Sequence, residues 1–246
     1  MKTIAAIADI HGNILALEAV VRDIARRQVD TVVNLGDHLS GPLWPKETIR
    51  FLMQQPWVQI SGNHDKQLST QDPLTHGLSD RYAYQALNDL EKEWLRQLPA
   101  NVRIDENILL FHGTPSSDSE YLLEAIEYGR AVLASQSEIK KRLGETRFPL
   151  MLCGHSHVQR IVEIDENIVI VNPGSIGLPA YKDELPEPHI IESGSPHARY
   201  AVVHFDDRWT VDLISVPYDF QKAADRARKN NRLDWAIALQ TGTMTQ

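Results

Sequence analysis

The sequence predicts an α/β protein built on two β-sheets flanked by helices. Three observations point that way. The first third alternates short apolar runs with segments of helical period. The last third is mostly strand-like runs joined by short acidic links. No linker and no fixed-period repeat divides the 246 residues, so one domain over 1–246 is expected.

In order, "TIAAIAD" is a short apolar run ending in Asp9, and "ILALEAVVRDIARRQ" has apolar residues at helical spacing. "TVVNLGD" is a second run ending in Asp37, "KETIRFLMQQ" is a helix after Pro45, and "WVQISGNHD" is a third run. This β-α-β-α-β order, with strands apolar on both faces, belongs to a parallel sheet covered by helices. The middle reads as more helical. "YQALNDLEKEWLRQLP" is predicted as one amphipathic helix, with Leu87, Leu90, Trp94, Leu95 and Leu98 on one face. "NVRI" and "NILLFHG" form a strand pair turning at Asp105-Glu106-Asn107. "SEYLLEAIEYGRAVLASQSEIKKRLG" is read as largely helical, with Gly144 capping its end. Strands follow at "FPLMLCG", "QRIVEI", "NIVIVNPG", "RYAVVHF" and "WTVDLISV". Asp165-Glu166-Asn167 and Asp206-Asp207 read as hairpin links. A last helical segment runs roughly from Gln221 to Ala238, and residues 181–197 read as an exposed loop rich in acids, Pro and Gly.

Composition narrows the function. The formal net charge of -8 argues against a broad basic footprint for nucleic acid. The single cysteine, Cys153, cannot form an internal disulfide and is read as a small core residue. The start, "MKTIAAIADIHG", is broken by Asp9 and makes no signal peptide. No run approaches the ~18 apolar residues of a membrane span. A cytoplasmic protein with no membrane partner is expected. Oligomeric state is not legible.

The chemistry sits at the strand ends. Asp9 and His11 follow the first strand, Asp37 the second, and Asn63 and His64 the third. His112 follows "ILLF", and His155 and His157 follow "PLMLC". Ligands of open α/β sheets bind outside the carboxyl ends of the strands, so these residues can converge. Gly12, Gly36, Gly62, Gly113 and Gly154 flank them. Asp, His and Asn side chains suffice for two cations, and a carboxylate such as Asp37 can bridge both. Two divalent ions bring +4 against -2 from Asp9 and Asp37, which makes a phosphate-binding site in an acidic protein. Taken singly, Asp9-x-His11 and Gly36-Asp37 are ordinary turn chemistry, and Asn13 can cap the next helix. Gly154-His155-x-His157 is more specific, because i, i+2 spacing puts both imidazoles on one side.

The series D-x-H, G-D, G-N-H-D, H and G-H-x-H, in this order, resembles the calcineurin-like metallophosphoesterase superfamily from roughly Ile4 to Pro179. "FHGTP", "EYL" and "NPGSIGLP" are similar to its small stand-alone bacterial and archaeal phosphoesterases. The resemblance implies a four-layer α/β/β/α sandwich of two mixed β-sheets flanked by helices. It implies one metal on Asp9, His11, Asp37 and His157, and a second on Asp37, Asn63, His112 and His155. It implies His64 as the general acid for the leaving oxygen. Asp65 either supports the local turn or orients His64. The phosphoprotein phosphatase motif G-D-x-x-D-R-G is absent, since the stretch here is "GDHLSGP". That leaves the partner of His64 open: His38 and Ser40 are candidates, although both read first as exposed loop residues.

A dinuclear metal-dependent phosphoesterase is thus expected, attacking a phosphodiester or phosphomonoester with metal-bound hydroxide. The resemblance favours a small phosphodiester or nucleotide-like substrate. Mixed His and carboxylate ligands suit Mn²⁺ first, or Fe, Zn²⁺ or Ni²⁺, better than an all-oxygen Mg²⁺ or Ca²⁺ cage. The alternatives are a non-catalytic binding module on the same fold, or a nuclease. The loop at 181–197 could be a lid over the site or a plain solvated excursion. Trp44 either lines the pocket or packs beneath that loop. His189 and His197 are not expected as ligands.

Overall fold

The computed structural model describes residues 2–165 and 167–244. The chain begins with β1 (Lys2–Ile7), α1 (Ile14–Ile24), β2 (Thr31–Asn34), α2 (Pro45–Leu52), β3 (Val58–Gln59) and α3 (Asn63–Thr70). It continues with α4 (Leu78–Ala86), α5 (Asp89–Gln97), β4 (Asn101–Asp105), β5 (Ile108–Phe111), β6 (Glu124–Glu127) and β7 (Arg130–Leu133). Next come α6 (Gln136–Leu143), β8 (Leu150–Leu152), β9 (Gln159–Ile164), β10 (Ile168–Pro173), β11 (Ala180–Asp183) and β12 (His189–Glu192). The last elements are β13 (Ala198–Phe205), β14 (Trp209–Val216), α7 (Phe220–Lys229) and α8 (Leu233–Thr241).

Two mixed five-stranded sheets form the centre. Their strand orders are β14-β13-β1-β2-β3 and β4-β5-β8-β10-β9. β1, β2 and β3 run parallel, as do β5, β8 and β10. The period-2 alternation of strand side chains explains the layering. Ile4 and Ala6 of β1 pack with Leu110 of β5 and Leu152 of β8 between the sheets. Ala5 and Ile7, on the other face of β1, pack with Leu17 and Val20 of α1. Leu109, Phe111 and Met151 of the second sheet pack with Ile139 and Leu143 of α6. The result is the expected α/β/β/α sandwich.

The sequence missed a third sheet, of order β11-β12-β7-β6. Two expectations fail there. The segment 119–144 is helical only in α6. Before it, β6 and β7 make a hairpin at Tyr128-Gly129, where both residues have positive φ, 52° and 72°. A two-residue turn of that hand matches strand twist and overrides the helical spacing of the apolar residues. The loop at 181–197 is likewise not wholly irregular, because β11 and β12 pair antiparallel within it.

Two other readings need correction. The helix expected over 84–99 is broken between α4 and α5. Asn88 accepts from Glu91 N and Glu91 accepts from Asn88 N, so a capping box starts a new helix there. Leu90 consequently faces solvent, at 77% exposure. The C-terminal segment is two helices, α7 and α8, rather than one. Both late hairpins form as read, although Glu166 in the first link lies outside the described residues. Cys153 is buried in the core. Trp44 packs against α1- and α7-side apolar residues. No helix among the described residues is long and apolar enough to cross a membrane.

The capping box gives a direct test. Asn88→Ala should destabilise the protein by about 1 kcal/mol in urea unfolding, with an unchanged m-value.

Candidate active site

The carboxyl ends of β1, β2, β3, β5 and β8 bring all seven expected ligands and His64 to one place. Asp9 N donates to Gly36 O at 3.0 Å and His11 N to Asp37 O at 3.0 Å, which ties the first two strand ends together. Gly154 N donates to His112 O at 2.8 Å and joins the other two. Five of the candidates sit in left-handed backbone: Asp9 (54°), His11 (50°), Asp37 (56°), His155 (70°) and His157 (60°). Non-Gly residues rarely adopt such φ, and clusters of them mark sites whose geometry is imposed by surrounding structure. Packing at the strand ends is equally tight. A Cβ on Gly62 would lie 2.2 Å from Asp37 Oδ1, and one on Gly36 would lie 2.5 Å from Gly62 N.

The side chains form two groups that could hold a metal ion, Asp9-His11-His157 and Asp37-His112-His155. Their protonation is fixed by their neighbours. His11 Nδ1 donates to Ser40 O at 2.7 Å, His157 Nδ1 to Leu178 O at 2.8 Å and His112 Nδ1 to Leu35 O at 2.7 Å. A carbonyl can only accept, so in a neutral ring Nε2 carries a lone pair. His11 Nε2 and His157 Nε2 face each other at 3.1 Å. His112 Nε2 faces Asn63 Oδ1 at 3.1 Å and Asp37 Oδ2 at 3.3 Å. Asp37 Oδ2 is also 3.9 Å from His11 Nε2, so it lies between the groups. Asp9 Oδ1 is buried with no hydrogen-bond donor. Acceptors crowded on acceptors, with donors turned away, fit a pair of cations.

Burial pushes His11 down to about 4 and His155 to about 3, and holds His157 well below its ordinary value. These rings are therefore neutral and free to ligate. Burial also opposes charge on His112, but Asp37 and Asp9 outweigh it and raise that ring to about 10. For Asp37, burial is overcome by the positive charge of His112 and His64, which holds the carboxyl well below the usual range. Burial raises Asp9 well above that range, against the pull of His112.

His64 opens α3 and keeps 32% of its side-chain exposure. Its Nδ1 lies 2.9 Å from Asp80 Oδ1 on α4. Burial opposes its charge, but Asp37 and the Asp80 contact raise it to about 9. Asp80 is the partner that the sequence left open. It lies 16 residues from His64 in a segment without motif character, so no spacing announced it. His38 and Ser40 are buried rather than exposed, and His38 is bound to Asp65 at 2.7 Å. Asp65 also accepts from the main-chain N of Asp37, His38 and Gly62, so it supports the turn and does not touch His64.

Two clefts meet at these residues. One, of about 400 Å³, is walled by Tyr181, Ser79, Arg232 and Trp235. The other, of about 550 Å³, is walled by Gln67, Tyr121, Glu124 and Arg142. Both touch Asn63, His64, His155 and Asp183. The segment 181–197 thus contributes Tyr181 and Asp183 to the walls. Its His189 is buried away from the metal groups and bonds to Tyr121 Oη at 3.0 Å, and Trp44 lines neither cleft.

A hypothetical protein of Pyrococcus horikoshii has a similar structure, with a TM-score of 0.76 and 21% identity over 100% of both chains. A metallophosphoesterase from Sphaerobacter thermophilus superposes with a TM-score of 0.72 and 22% identity, over 96% of this chain and 99% of the other. Those likenesses show a shared fold. An uncharacterised protein of Methanocaldococcus jannaschii is 24% identical over 250 residues, covering 94% of each chain. Residues 1–207 match the calcineurin-like phosphoesterase superfamily domain, whose members depend on metal. The chain belongs to the calcineurin-like phosphoesterase superfamily.

Proposed function

We propose that this protein hydrolyses a small phosphoester with two divalent cations. Asp9, His11, Asp37 and His157 would hold one, and Asp37, Asn63, His112 and His155 the other. The observation that carries this reading is the 3.1 Å approach of His11 Nε2 to His157 Nε2, with both Nδ1–H groups committed to carbonyls. When bound, such cations supply Lewis acidity and acidify a water molecule, and Mn²⁺ suits the donors first, then Fe, Zn²⁺ or Ni²⁺.

The chain's own residues do the rest. Asp80 accepts from Nδ1 of charged His64 and fixes the ring, leaving the Nε2 proton for the leaving oxygen. Asp37 Oδ1 accepts from His64 N at 3.0 Å, so the carboxylate that would hold both cations and the acid are held together. Two clefts meeting at His64 give room for a substituent on each side of phosphorus, which favours a diester over a monoester. Asp234 and Trp235 of α8 line the same cleft as His11 and His157, which supports one domain over 1–246. A single buried cysteine suits a reducing compartment, the cytoplasm.

Metal-stripped protein reloaded with Mn²⁺ should hydrolyse bis-p-nitrophenyl phosphate faster than p-nitrophenyl phosphate. His64→Ala should lower kcat on diphenyl phosphate, whose phenolate leaves poorly, by roughly 10²–10⁴-fold. No turnover of any ester with two cations bound would favour the binding-module reading. Metal uptake should also depend on pH. His112 is charged below about 10 and must lose its proton to ligate. Affinity should therefore rise with pH from 6 to 9, with release of about one proton from His112 plus a share from Asp9. Calorimetry in buffers of different ionisation enthalpy reads this directly, and uptake without proton release would contradict the ligand assignment.

A further inference from the structure

α4 carries Asp80, and its apolar anchorage is confined to Ala83 and Tyr84, which join the core cluster of Leu39, Ile49 and Leu68. Nine-residue helices are marginal without tertiary support. Residues 71–75 before it are exposed. At its far end Tyr84 packs on His76 and beneath Lys92. On the side of the site it is held by the end of α7 and the segment joining it to α8. Tyr82 Oη accepts from Arg226 Nη2 at 3.1 Å and from Asn230 Nδ2 at 2.9 Å. Ser79 Oγ accepts from Arg232 Nη1 at 2.8 Å. Ser79 and Tyr82 flank Asp80 on the helix.

These donors are anchored in turn. Asn230 Nδ2 also donates to Pro42 O at 2.6 Å, and Arg226 Nε to Leu43 O at 3.2 Å. Arg232 is gripped by Asp234 at 2.7 Å and lies over the Trp235 ring at 5.7 Å. The segment thus bridges α4 to the loop that follows Asp37. It lies beyond residue 207, where the match to the superfamily domain ends.

On the reading of His64 as the general acid, we propose that Arg226, Asn230 and Arg232 are positioning residues for it. They fix α4, α4 fixes Asp80, and Asp80 fixes the His64 ring. Arg226, Asn230 and Tyr82 line neither cleft at the site, so substitutions at Tyr82 and Asn230 separate positioning from substrate contact.

The test uses Tyr82→Phe and Asn230→Ala, with Arg228→Ala as control. Arg228 is on the same helix but bonds to Asp225 and Gln240. Proton NMR of the metal-free protein should show the His64 Nδ1–H held by Asp80. That signal should persist in Arg228→Ala and broaden or vanish in the two variants. With Mn²⁺ restored, kcat on diphenyl phosphate should fall about tenfold in Tyr82→Phe, against under about twofold on bis-p-nitrophenyl phosphate, whose leaving group needs little acid. In a His64→Ala background Tyr82→Phe should cost nothing further. An unchanged His64 signal in both variants, or equal losses on both esters, would overturn the proposal. If the parent protein turns over neither ester, the phosphoesterase reading falls, while the His64 signal still decides the positioning role.

Discussion

His11, His157 and His112 each commit their Nδ1–H to a main-chain carbonyl, which turns all three Nε2 atoms inward, and the surrounding structure is arranged around them. Those of His11 and His157 are buried lone pairs that face each other, and that of His112, protonated in the metal-free protein, faces Asp37 Oδ2 and Asn63 Oδ1. Such a cluster is costly in a low-dielectric interior unless positive charge compensates it. The protein's own charges answer only in part, through protonated His112 and His64. A pair of divalent cations would answer in full. The positive φ values at Asp9, His11, Asp37, His155 and His157 belong to the same constraint, because ordinary strand exits would not aim these side chains inward.

The layers explain how so costly a cluster is held. The parallel strands β1, β5 and β8 are buried on both faces, so their ends have little freedom to shift. Tyr181 of β11 in the third sheet, and Tyr121 just ahead of β6, brace the candidate ligands from one side. The Tyr121 ring lies 4.9 Å from His155 and the Tyr181 ring 4.7 Å from His157. The two hydroxyls meet at 2.8 Å. His189 Nδ1 donates to Glu187 O, so its Nε2 accepts from Tyr121, and the chain of hydrogen bonds has one direction. The C-terminal helices brace the opposite side through Trp235, whose ring lies 6.0 Å from His11.

The strand ends were legible in the sequence because the apolar runs, the glycines and the ligand types coincide there. The sandwich was legible for the same reason. The hairpin of β6 and β7 was not, because Leu122, Leu123, Ile126 and Leu133 fall on one face at helical spacing. Only the backbone at Tyr128-Gly129 decides against a helix. Asp80 was hidden because it reaches His64 from a separate helix across an exposed stretch. The recognition walls, Arg232 and Trp235 above all, were hidden because a fold-back of the C-terminus onto the strand ends leaves no local signal. Sequence thus exposed the chemistry that topology gathers, and concealed the side chains that tertiary packing adds to it.

On the proposed function, two cations would share Asp37. The most direct measurement is a crystal structure of the Mn²⁺-loaded protein with anomalous differences recorded at the manganese edge. Two peaks about 3.5–4 Å apart, one on each side of Asp37 Oδ2, are expected. A single peak, or two that do not share Asp37, would contradict the account.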